Sequence, residues 1–135
     1  MKTKKMNPKS RLLLGAGLDI LHFESREWID TLEFWQDEVK FFNSLLNRQD
    51  PLDKEKRTYG EMLKKLDEIH KDLFEDIKED VYEHEKYLAK LEDGKKGVSD
   101  SQYREKHGQL KDRLETFSTD FKAFKQIVFE HIKSL

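Results

Sequence analysis

The chain has 135 residues, 40% of them charged, with a net charge of −2 and no cysteine. That length suits one folded unit that buries roughly 70% of its unfolded surface. The missing cysteines exclude disulfides, thiolate metal sites and cysteine nucleophiles, and the near-neutral balance gives no overall pull toward nucleic acid or anionic lipid. Lys2, Lys4, Lys5, Lys9 and Arg11 make residues 1–11 a basic arm without an acid. A solvated tail is the expected meaning, and five positive charges alone do not indicate nucleic acid as a partner.

The apolar run from Leu12 to Leu21 follows the arm. Asp19 interrupts it and no small-residue cleavage site follows, so a signal peptide is not indicated, and no segment reaches the ~18 apolar residues of a membrane span. A cytoplasmic protein without a membrane partner is the expectation.

Two prolines and six glycines in a chain rich in Glu, Lys, Asp, Leu and Phe indicate long helices with short connections. The first expected helix covers about 26–49, with Ser25 as N-cap and the stripe Trp28, Leu32, Trp35, Val39, Phe42 and Leu46. Phe34, Phe41 and Leu45 lie well off that stripe. They define a candidate interface for a homo-oligomer or another helical protein, because exposed aromatics are a liability in a monomer.

Asp50 and Pro51 suggest an N-cap and first residue for a second helix over 51–93. Its stripe is Met62, Leu66, Ile69, Leu73, Ile77, Val81, His84, Leu88 and Leu91. Three successive steps of four, from Ile69 to Val81, break the heptad as a stutter does. Gly94 and Gly97 mark the next turn, and Ser99 with Gln102 forms a capping-box pattern.

The third helix, over 100–134, carries an uncharged heptad seam: Tyr103, His107, Leu110, Leu114, Phe117, Phe121, Phe124, Val128, His131 and Leu135. The fold class expected is therefore all-α, an antiparallel up-down-up three-helix bundle within residues 12–135. At about 1.5 Å per residue the second helix is roughly 60 Å long and the first only about 36 Å. The far half of the hairpin then needs another wall. Residues 12–23, bent at Gly15 and Gly17 into a short extra helix, or a partner chain, would supply it.

Histidines offer the chemistry that the motifs do not. No dinucleotide loop, P-loop, nucleophile elbow or EF-hand is present, and a non-enzymatic interaction module without a cofactor is the leading expectation. Pairing the helices about tight turns sets His84 and His107 about one turn apart, with His22, Asp19 and Asp80 near the same level. Such a histidine and carboxylate cluster is the alternative, a small-ligand or metal site suited to zinc or iron.

Overall fold

A computed structural model describes residues 17–133. Helix α1 spans Leu18–Asn47, α2 spans Lys56–Lys71, α3 spans Lys78–Glu92 and α4 spans Asp100–Lys133. A short 3-10 turn, Asp53–Glu55, precedes α2, and a π-helical segment, Asp72–Ile77, fuses α2 to α3 into one long rod. The result is the all-α up-down-up bundle, and among the described residues no helix is long and apolar enough to cross a membrane.

Side-chain pairs give the directions. Between α1 and α4 the bonded pairs Glu24–His107, Glu24–Lys111 and Glu38–Lys125 keep sequence separations of 83 to 87, as parallel helices must. Between the rod and α4 the partners run oppositely: Tyr87 meets Gln102, His84 meets His107 and Asp80 meets Arg113.

The missing wall is α1 itself. It is continuous from Leu18, so no separate helix covers residues 18–23, and the proposed part at 12–16 lies outside the described residues, as does the basic arm. Ser25 is not a cap; it sits inside α1, fully buried, and its hydroxyl donates to the Leu21 carbonyl at 3.1 Å. A serine satisfied by its own helix in this way stops competing for the backbone. Gly17, in extended conformation, is the N-cap, and Leu21 packs with Leu88 and Tyr103.

Asp50 and Pro51 do not begin a helix. Residues 48–52 run as a turn and extended connection into the 3-10 turn, where Asp53 pairs with Lys56 at 2.9 Å. The other turn follows the glycine pattern. Gly94 and Gly97 have φ of 67° and 86°, and Lys95 N–H donates to the Lys90 carbonyl at 3.0 Å while Gly94 N–H donates to Leu91 at 3.1 Å, a Schellman closure. At the start of α4 the Ser99 hydroxyl accepts from the Gln102 N–H at 3.2 Å, but Gln102 does not reach back to Ser99. Tyr87 takes its place: its hydroxyl accepts the Ser99 N–H at 2.8 Å and donates to Gln102 Oε1 at 3.0 Å.

The π segment coincides with the stutter. Each step of four advances about 40° past a full turn of an α-helix, so Ile69, Leu73, Ile77 and Val81 would drift by about 120° and leave the core. Wider π turns cancel that drift, and the four residues are between 0% and 7% exposed. Most of the core lies in one cluster, from Leu32, Trp35 and Phe42 across Leu66, Leu73 and Val81 to Phe117, Phe121 and Val128. Leu21, Leu88 and Tyr103 form a second, smaller one near the glycine turn.

Candidate functional site

A polar layer separates these two apolar clusters. His84 on α3 and His107 on α4 are 3% and 0% exposed, and their rings meet directly, His84 Nε2 to His107 Nδ1 at 2.9 Å. Heptad spacing put both on inward stripes, and the structure brings them closer than the expected helical turn. Glu24 of α1 reaches the other face of His107, Oε1 to Nε2 at 2.7 Å, and Lys111 Nζ donates to Glu24 Oε2 at 3.1 Å. Aromatic rings close the layer on both sides. Trp28 stacks on His107 with centroids 4.4 Å apart, and Tyr103 lies parallel to His84 at 4.3 Å and 2°.

Electrostatics fix the protons. Burial tends to raise the Glu24 carboxyl, but its hydrogen bonds to His107 and Lys111 outweigh that and hold it below the usual carboxylate range. An ionised Glu24 only accepts, so His107 Nε2 carries the hydrogen. Burial pushes the His107 imidazole below its ordinary value despite the pull of Glu24. Neutral His107 then offers a bare Nδ1, which must receive the hydrogen of His84 Nε2. Burial, then the neighbouring His107 and Lys106, take His84 down to about 3, so this ring is neutral too. The outcome is a directional chain from His84 through His107 to Glu24. At its far end His84 Nδ1 is left as a buried acceptor with no hydrogen-bond partner among the described residues. Burial also raises the Tyr103 phenol to about 12.

The other members of the expected cluster go elsewhere. His22 Nδ1 approaches Glu85 Oε2 at 3.0 Å, and Asp80 accepts from Arg113 at 2.6 Å, with Lys106 at 4.0 Å. Asp19 is exposed in the first turn of α1, its carboxylate folded back over Gly17. Among the described residues no three His, Asp or Glu side chains converge as a metal-holding group.

A shift in register explains the scatter. Tight pairing about Asp50 and Pro51 would give α1 and the rod partners whose numbers sum to about 103, whereas His22 and Glu85 sum to 107. The extended connection before the 3-10 turn moves α1 by about one turn, and Glu24 rather than Asp19 arrives beside the histidines. Glu24 and the stacking role of Trp28 were thus missed. Both follow once α1 is carried back to Leu18 and set parallel to α4.

Phe34 and Phe41 of the expected interface are 62% and 51% exposed, while Leu45 is half-buried against the main core. Ile20 and Phe23, 60% and 66% exposed, join them on α1. The chain matches no protein-family model, no curated protein and no solved structure.

Proposed function

We propose that the protein is a non-enzymatic association module that pairs with a second copy of itself through the outer face of α1. One observation carries the reading: Ile20, Phe23, Phe34 and Phe41, all more than half exposed, fall within about 60° of one another at about 100° per residue. They make a stripe roughly 30 Å long on the side of α1 opposite its own core. Exposed aromatics so aligned are a feature of interfaces rather than of free surface.

The stripe is self-complementary. A two-fold axis between Leu32 and Glu33 sets Ile20 of one copy level with Leu45 of the other and Phe23 within one residue of the level of Phe41, while the two Phe34 rings flank the axis. An isologous contact needs this symmetry of apolar positions, and a hetero-partner does not. Phe129, 43% exposed, extends the apolar surface beside Phe41 and Phe42, whose ring it meets at 5.3 Å.

Sedimentation velocity of the full chain across micromolar concentrations tests the proposal. A reversible dimer is expected, weakened at least tenfold by Phe34→Glu, a change at an exposed helix position that leaves the fold intact. A monomer at every concentration overturns self-association, and a dimer indifferent to Phe34→Glu and Phe23→Glu overturns this face.

A further inference from the structure

The apolar surface of α1 continues past the helix itself. Between α1 and α4 lies an open cleft of about 440 Å³ whose apolar walls are Phe41, Phe42 and Phe129. Asp37 and Lys122 line it as exposed charges, and Glu38 and Lys125 line it bonded to each other at 2.7 Å. Resting on the association reading above, we infer that this cleft seats Ile20 and Phe23 of the second copy, and that a cross-chain ion pair, Glu27 with Lys122, fixes the register. The interface is then built from two helices of each copy, α1 and α4.

Level and side together select this occupant. The two-fold axis between Leu32 and Glu33 brings Phe23 of the second copy to the level of Phe42, and Glu27 to that of Glu38. Because α4 runs parallel to α1 with the offset seen between Glu38 and Lys125, Phe129 stands level with Phe42, and Lys122 lies within a turn of Glu38. The sides agree as well. An axis that crosses the helices keeps the α4 side of one copy next to the α4 side of the other. Relative to Phe34, the helix turns Ile20 by about 40° and Glu27 by about 20° toward α4, while Phe23 stays within about 20° of the mid-line. All three therefore face the cleft or its edge.

Charge then separates a second copy from an arbitrary apolar partner. Glu38 is held by Lys125, whose ammonium also lies over the Phe121 ring at 4.7 Å, so Lys122 is the cation of the lining left to meet an acid from outside. Among the described residues neither Lys122 nor the exposed Glu27 carboxylate has an ion-pair partner in its own chain. On the other side of the stripe, Arg26 of the second copy falls between its own Asp30, one turn on, and Asp37. One guanidinium thus bridges two acids that would otherwise repel.

Sedimentation of the full chain and of three surface variants tests the cleft separately from the stripe. Phe129 belongs to α4, so Phe129→Ser would not disturb a contact made by α1 alone; here it should weaken the dimer about tenfold. Glu27→Lys and Lys122→Glu each set like charges against one another at both symmetric contacts, and each should weaken the dimer about tenfold as well. Mixed in equal amounts, those two variants should recover the original affinity to within about threefold. In the mixed dimer one contact is the native pair and the other is that pair with its charges exchanged. An unaltered chain that stays monomeric overturns the association reading and this inference together. A dimer broken by Phe34→Glu yet indifferent to Phe129→Ser and to both reversals leaves association through α1 standing and overturns the cleft. Reversals that weaken the dimer without recovery on mixing overturn the pairing of Glu27 with Lys122, and with it the register.

Discussion

Protonating His84 means placing a positive charge between Tyr103 and a second imidazole, away from water. Its value near 3 in the folded protein, against about 6.5 in the unfolded chain, makes acid act on the unfolded state first. Between those limits the unfolded chain holds more protons than the folded one. The stability this group confers is complete above about pH 6.5 and is lost as pH falls toward 3. Up to about 1.4 kcal/mol disappears per pH unit for each such proton. His107 and Glu24, both lowered, push in the same direction. Urea denaturation at successive pH values should show this slope, and His84→Gln, which can still donate to His107, should lose about one proton's worth of it. Identical slopes for the two proteins would show that His84 is not the group responsible. That His84 and His107 face inward was legible from heptad spacing alone. Glu24 was not, because its place depends on a five-residue connection whose geometry leaves no periodic mark in the sequence.

The rod of α2 and α3 shows how an irregular element is written into an otherwise regular pattern. Steps of four from Ile69 to Val81 amount to one residue more than a heptad needs, and the π segment at Asp72–Ile77 takes up that residue. Removing the exposed Glu75 restores the four-three-four spacing. The deletion should turn the π segment into ordinary α-helix and leave the protein folded within about 1–2 kcal/mol of the original. Deleting the exposed Lys64 instead rotates Leu66 and Ile69 by about 100° away from the core and should unfold the bundle, since each buried aliphatic displaced costs about 2–5 kcal/mol. Thermal melts followed by circular dichroism distinguish the two; equal damage from both would mean that the π turns do not compensate the stutter. The stutter was visible in the sequence, whereas the start of α1 was obscured. Ser25 resembles a cap until Leu21 is seen to accept its hydroxyl. Residues 12–23, apolar but glycine-broken, carry no clean helical period that would have placed the first turn at Leu18.

Across the whole molecule, three parallel and antiparallel helices share a stack of unlike layers: a small apolar cluster at the glycine turn, the histidine layer, then the long main core. The two tryptophans of the chain fall in different layers. Trp28 lies flat on His107, and Trp35 packs against Phe117 at 4.8 Å, a heptad further along α1. An imidazolium in contact with an indole quenches its fluorescence and a neutral imidazole does so far less, so each tryptophan reports on its own level. On acidification, a Trp35→Phe protein, which keeps only Trp28, should dim at a higher pH than a Trp28→Phe protein, whose emission should hold until the main core opens. Coincident curves would make the bundle a single cooperative unit with no separate response in its polar layer. The stack of Trp28 on His107 thus gives the protein an internal optical probe of its own protonation, readable in dilute solution without a label.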